Sequence, residues 1–248
     1  MTQPLPSMGE DLNVIVIGAT GGIGKALINT LNASTQVAHI FALSREAAQV
    51  SSPKIHNMAF DFTDEAHIAK IAQDLKSKGP FDLVILATGF LHGPNISPEK
   101  SLKTMTTQGF ETNFAINTIG PALTAKYFLP LMRKDQKSVF AALSARVGSI
   151  SDNRIGGWYA YRASKAALNM VIKTLAIEHG RRFKDCIIMG LHPGTVDTAL
   201  SKPFQGNVPE GKLFTPKDSA QKLLSVIDRA AMTESGHLLD WAGTKIPF

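Results

Sequence analysis

Short apolar runs alternate with helix-patterned stretches along almost all of this 248-residue chain, and that alternation leaves few folds open. "NVIVIG" (13–18) is apolar and ends in glycine, and "GIGKALINTLN" follows with Ile23, Leu27 and Leu31 at helical spacing. "QVAHIFALS", "KIHNMAFDFTDE", "FDLVILATG", "SVFAALS" and "DCIIMGLHPG" read as further strands, and "GHLLDW" adds a last one. Between them, helices are predicted over "DEAHIAKIAQDLKSKG" with Thr63 as cap, over one long stretch at 102–132, over "WYAYRASKAALNMVIKTLAIEHG" and over "TPKDSAQKLLSVIDRAAM". Pro121 marks a kink or a first turn in the second of these.

Most of the strands are apolar throughout, which fits strands buried on both faces. The pattern therefore predicts a doubly wound, mostly parallel sheet in three α/β/α layers, the Rossmann arrangement. The polar start (1–12) reads as a loose leader and 13–248 as a single domain. The longest irregular segment, about 197–215, with Pro203, Gly206, Pro209 and Gly211, reads as a lid over a site.

Composition excludes several classes. No run approaches the ~18 apolar residues of a membrane span. The leader lacks the build of a secretory signal, so the expected address is the cytoplasm. One cysteine, Cys186, allows no internal disulfide and is expected within a buried strand. The net charge of +6 is spread along the chain, and its densest cluster, Arg181, Arg182 and Lys184, falls where a helix should end. Without a basic stripe interleaved with aromatics, nucleic acid is not an expected partner.

In doubly wound sheets, ligands bind beyond the carboxyl ends of the strands. Gly18, Thr20, Gly21, Gly22, Ile23 and Gly24 lie between the first strand and its helix, where glycines let backbone N–H groups approach a pyrophosphate. Their spacing, G-x-x-x-G-x-G, departs from the general G-x-G-x-x-G fingerprint. Ser44 and Arg45 end the second strand where NAD-type sites place an acid, and arginine there pairs with a 2′-phosphate, so NADP(H) is preferred over NAD(H). Asp61 is placed to accept from an adenine amino group with Phe62 flanking the ring, or it is a turn residue.

Tyr161 and Lys165 stand four apart in "YAYRASKAAL" and share a helix face, whereas Tyr159 points elsewhere. A free phenol has a pKa near ~10. A nearby ammonium and an oxidised nicotinamide would lower it enough for Tyr161 to act as general acid or base in carbonyl–alcohol exchange.

With these residues in order, the chain resembles the short-chain dehydrogenase/reductase family. The resemblance rests on the glycine loop, "YRASK", Asn117 in "FAINTIGPAL" and "HPGTVDT". "SARVGSI" and the carboxyl-terminal "GHLLDWAGTKIPF" are similar to C-factor-like carbonyl reductases. The resemblance implies that Lys165 also contacts the nicotinamide ribose and that Asn117 holds a water of a proton relay. It implies that Pro193, Gly194, Val196 and Thr198 anchor the carboxamide, and that the chain forms homodimers or homotetramers, with Met170 and Ile177 available on the long helix. Two departures stand out. Leu86-Ala87-Thr88-Gly89 replaces the family's Asn-Asn-Ala-Gly, leaving Ala87, Thr88 and Gly89 to meet the adenosine. The family's paired serines become Ser144-Ala145, so Ser144, or else Ser149, is expected to polarise the substrate carbonyl. A small carbonyl or alcohol substrate is the implied partner. A protein that binds the nucleotide as a signal, with weak or no catalysis, is the competing expectation.

Overall fold

Strand β1 (Leu12–Ile17) shows how the sequence builds the sheet. Val14 and Val16 point to one face and Ile15 and Ile17 to the other, and all four are buried. A strand covered on both sides needs such an uninterrupted apolar run. The computed structural model describes residues 3–48 and 50–248.

The other strands are β2 (Val37–Ser44), β3 (Ile55–Ala59), β4 (Leu83–Leu86), β5 (Ser138–Leu143), β6 (Cys186–His192), the short β7 (Thr195–Val196) and β8 (Leu213–Phe214), β9 (Leu238–Asp240) and β10 (Lys245–Ile246). Eight of them form one sheet in the order β10-β9-β6-β5-β4-β1-β2-β3, all parallel except the β10–β9 pair. The order reverses between β1 and β4, which opens a crevice at their carboxyl ends.

The helices are α1 (Gly22–Asn32), α2 (Glu65–Leu75), α3 (Thr107–Phe114), α4 (Gly120–Phe128), α5 (Tyr159–His179) and α6 (Pro216–Arg229). Leu27, Ile28 and Leu31 of α1 and Leu223, Leu224 and Ile227 of α6 bury one face of the sheet. Ile68 and Ile71 of α2, Phe128 of α4, and Leu168 and Ile172 of α5 bury the other. Fully burying an aliphatic side chain of this kind contributes about 1.5–3 kcal/mol. None of the described helices is long and apolar enough to cross a membrane.

Four expectations are corrected. The leader is not loose from Leu5 onward: Leu5 and Met8 are buried in the first core, and the Ser7 N–H donates to Asp228 Oδ1 at 2.7 Å. The cap of α2 is Asp64, not Thr63: its carboxylate accepts from the Ala66 and His67 N–H groups. The single helix over 102–132 is instead α3, a π-helical turn (Ala115–Ile119) and α4, with Pro121 in the first turn of α4. The segment at 197–215 is not wholly irregular. It carries a 3₁₀ stretch (Lys202–Asn207), and its two ends are joined by β7 pairing with β8.

Candidate functional site

The glycine loop sits at the mouth of the crevice. Gly18 has φ +89°, and a Cβ there would lie 2.7 Å from Ala87 O. A Cβ on Gly24 would lie 2.1 Å from Gly18 O, so only glycine lets α1 begin this close to β1. No side chain caps the N-terminus of α1. Its first N–H groups and the positive end of its dipole suit a phosphate. Thr20, Gly21 and Gly22 are exposed, Ile23 and Thr198 are partly buried, and Thr198 packs directly over Gly22.

The neighbouring strand ends are less uniform. Arg45 is exposed and makes no ion pair among the described residues, so its guanidinium is open to an anion. Ser44 is buried, and its hydroxyl donates to Glu46 O at 2.6 Å, fixing the turn that presents Arg45. Asp61 is seen as a turn residue. The Thr63 N–H and hydroxyl donate to Asp61 Oδ1 at 2.9 and 2.6 Å, and these bonds hold its carboxyl below the usual range, while Oδ2 stays free. Phe62 does not flank an open site. Its ring is buried in the second core against Gly120, where a Cβ would come within 2.2 Å of it. Ala87 and Thr88 are partly buried behind the glycine loop, and Gly89 is exposed with Asn117 Oδ1 and Lys165 Nζ each 3.8 Å from a would-be Cβ. The uncapped helix start, the glycine floor and the unpaired Arg45 together fit a dinucleotide.

Tyr161, Lys165 and Asn117 are all buried at the centre of the crevice. The π-turn brings Asn117 inward. Its Nδ2 donates to Phe90 O (2.9 Å), Asn113 Oδ1 (3.1 Å) and Ser164 Oγ (3.1 Å), and its Oδ1 accepts from the Phe90 N–H (2.9 Å). Such a bulge interrupts regular carbonyl pairing, and π-bulges are frequent at functional sites. Lys165 Nζ donates to Leu143 O at 2.8 Å and lies 5.9 Å from the Tyr161 ring centroid. It does not bond the phenol, and the expected lowering of the tyrosine pKa is not found in the ligand-free chain. Burial raises Tyr161 to about 12 and lowers Lys165 to about 7.

This pair has a consequence for stability. Between pH about 7 and its ordinary 10.5, Lys165 is protonated in the unfolded chain and neutral in the folded one. The unfolded state then binds more protons, so stability rises with pH. Above 10, Tyr161 reverses the sign, because the folded chain keeps the phenol proton up to about 12. Urea unfolding of wild type and Lys165→Met should therefore show the wild type gaining on the variant from about pH 7 to 10. Parallel curves would remove the buried, neutral lysine.

Both candidate serines have hydrogen-bond partners other than Tyr161. Ser144 Oγ donates to Asn169 Oδ1 on α5 at 2.7 Å, and Ser149 Oγ accepts from the Asp152 N–H at 3.1 Å. Neither hydrogen-bonds to Tyr161, and Ala145 is the residue that packs on Tyr161 and Leu91. Ser144, Ala145, Tyr161 and Leu91 border a cavity of about 230 Å³ beneath the 197–215 segment; Ser149 does not line it. Pro193, Gly194, Val196 and Thr198 line it, and Gly194 (φ +78°) has Phe214 and Trp241 against the position of a Cβ. Among the lining residues not singled out from the sequence, His192 and Arg146 carry ionisable side chains. Burial lowers His192 to about 4, its Nδ1 has no hydrogen-bond partner among the described residues, and Arg146 pairs with Asp152 and Asp240. The available signal was position: His192 directly precedes Pro193-Gly194, and Arg146 follows the serine–alanine pair. Trp158, just before α5, has φ +50°, a strained conformation costing ~1–3 kcal/mol in a non-glycine residue.

Comparison with known proteins gives the same picture. A family model described as short chain dehydrogenase matches residues 12–208. The C-signal protein of Myxococcus xanthus is 36% identical over 135 residues, 54% of this chain and 76% of that protein. A 1-hydroxy-2-glutathionyl-2-methyl-3-butene dehydrogenase of Rhodococcus sp. (strain AD45) is 29% identical over 232 residues, 93% of this chain and 97% of that enzyme. Among solved structures, carbonyl reductase Sniffer of D. melanogaster superposes with a TM-score of 0.84 at 21% identity, covering 96% of this chain and 100% of that one. The NADPH-bound carbonyl reductase from chicken fatty liver gives 0.83 at 23%, with the same coverage. At those identities the two structures share the fold. With a family match across most of its length, on this sheet and around this crevice, the chain belongs to the short-chain dehydrogenase/reductase family.

Proposed function

We propose that this protein is an NADP-dependent oxidoreductase exchanging hydride between nicotinamide and a small carbonyl or alcohol substrate, with Tyr161 as general acid–base. The observation that carries the reading is the position of Tyr161. It lines the cavity, its hydroxyl makes no hydrogen bond among the described residues, and buried Lys165 and Asn117 stand behind it. NADPH, when bound, would supply the hydride to the carbonyl carbon. Tyr161 Oη then gives its proton to the carbonyl oxygen and recovers one from solvent. Burial keeps the phenol protonated at neutral pH, the form that reduction needs. Lys165 is held by Leu143 O close to the ring, and anionic charge arriving in the crevice favours its ammonium form, which eases loss of the phenol proton. Asn117, locked by Phe90 and Ser164, presents the backbone of the π-turn to a relay water. Gly18 to Gly24 and Arg45 hold the phosphates, and Pro193, Gly194, Val196 and Thr198 hold the carboxamide.

Arg45 gives a direct test. A charge-assisted hydrogen bond contributes about 1.5–3 kcal/mol, or roughly 10- to 100-fold. Arg45→Glu should therefore lower kcat/KM with NADPH by that factor relative to NADH, measured as loss of reduced-cofactor absorbance with a panel of aldehydes and ketones. An unchanged ratio would remove the NADP preference.

A second reading, a nucleotide-binding regulatory protein, is favoured by one observation: Ala145 stands against Tyr161 with no serine hydroxyl bonded to the phenol. The name of the Myxococcus relative, C-signal, agrees with it. Tight NADPH binding with no turnover of any carbonyl would support this reading. The cytoplasmic address and a homodimer or homotetramer remain part of the proposal. Met170 and Ile177 are exposed on α5 and available to such an interface.

A further inference from the structure

The aromatic wall of the cavity points to a substrate class. Trp158 adopts the left-handed conformation directly after Gly156 (φ +69°) and Gly157 (φ +66°). The surroundings hold it there. The Trp158 N–H donates to Glu99 O at 2.6 Å, Arg162 Nε donates to the Gly156 and Gly157 carbonyls at 3.2 and 3.0 Å, and the buried Glu99 carboxylate accepts from the Ala160 N–H at 3.3 Å. Strain maintained by this many contacts beside a site is a mark of function. Its effect is to set the indole edge-on between two other rings, 6.2 Å from Tyr161 and 5.1 Å from Phe204 of the 3₁₀ stretch. One side chain thus spans from the proton donor to the segment that covers it.

Size and charge narrow the occupant. At about 230 Å³ the cavity lies below the ~300–1,000 Å³ of ordinary small-molecule sites, and the side lined by Pro193, Gly194, Val196 and Thr198 is assigned to the carboxamide, so the substrate's share is smaller still. Its other walls include Leu91, Val147 and Leu200. The one lining cation, Arg146, is already paired with two carboxylates. An anionic substrate has no free partner here, and with the carboxamide side taken, Trp158 bounds the room that is left for a second fused ring. Aromatic side chains offer a flat guest edge-to-face or stacked contacts.

We propose that Trp158 is the specificity-determining residue of the cavity, and that it selects neutral, flat, single-ring carbonyl compounds such as aryl ketones. This rests on the reductase reading of the same site. Wild type should favour acetophenone by about tenfold or more in kcat/KM over both cyclohexyl methyl ketone, which is not flat, and 2-acetonaphthone, which is too long; pocket fit commonly discriminates by about 10- to 200-fold. Trp158→Ala should raise the 2-acetonaphthone to acetophenone ratio by about tenfold or more, and Trp158→Phe should keep the wild-type order. A ratio that stays put in Trp158→Ala, or an equal fall for all three ketones, overturns the proposal and leaves Trp158 a structural residue. If wild type reduces no carbonyl, the reductase reading fails, and the selectivity is then read by binding alone. The chain has two tryptophans, so Trp241→Phe leaves Trp158 as the sole indole emitter. Quenching by acetophenone at lower concentration than by cyclohexyl methyl ketone supports the proposal, and equal or absent quenching overturns it.

Discussion

Tyr161→Phe is expected to lower carbonyl reduction by about 10²- to 10⁴-fold, the usual worth of a positioned general acid. The substitution removes one oxygen and keeps the ring, which packs on Leu91, Ala145 and Trp158 in a buried position. The phenol makes no hydrogen bond among the described residues, so no partner is orphaned and the fold should survive. The proposed nucleotide cradle lies elsewhere, in the glycine loop, Arg45 and the segment after β6. NADPH should therefore raise the melting temperature of variant and wild type alike, since the shift depends only on ligand concentration and affinity. Lost turnover with retained thermal stabilisation assigns Tyr161 to the proton. A variant that still turns over at the wild-type rate would end the reading, and a variant that loses NADPH stabilisation would show that the ring shapes the cofactor site instead.

What could be read from the sequence follows a physical line. The sheet and glycine loop were legible because their signals are local: β1 must be apolar on both faces, and Gly24 must lack a Cβ, which would lie 2.1 Å from Gly18 O. Features fixed by distant partners were not. The helix over 102–132 breaks into a π-turn because Asn117 ties itself to the backbone of Phe90, 27 residues earlier, and nothing within the helix announces that bond. Thr63 and Asp64 are both competent caps; Asp64 takes the role, and the Thr63 hydroxyl is turned back to Asp61. Leu5 and Met8 sit in a polar stretch that reads as leader, yet they fill the end of the core beside α6. The tyrosine–lysine pair was legible as a pair. Its electrostatics were not, because burial acts against both charges and the spacing of four residues is silent on depth.

The serine question turns on the same limit. Successive residues along an extended chain point to opposite sides, so Ser144 and Ala145 do not both face Tyr161. Ala142 and Ser144 turn toward α5, where Asn169 takes the Ser144 hydroxyl, and Ala145 turns to the phenol. If position 145 is the one that polarises the carbonyl, it holds only a methyl group. A donor aimed at developing negative charge is typically worth ~10²–10³ in kcat. Ala145→Ser should recover part of that and raise kcat by about tenfold or more, because the added hydroxyl borders the cavity beside Tyr161 without displacing any hydrogen bond. Ser144→Ala is the companion measurement. If Ser144 is a packing residue bonded to Asn169, its loss costs stability and leaves the gain at position 145 intact. Should Ala145→Ser change nothing while Ser144→Ala abolishes turnover, Ser144 swings away from Asn169 during reaction and is itself the donor. A gain at position 145 would also separate the two functional readings, since one hydroxyl raises turnover only where cofactor, acid and substrate pocket are already assembled.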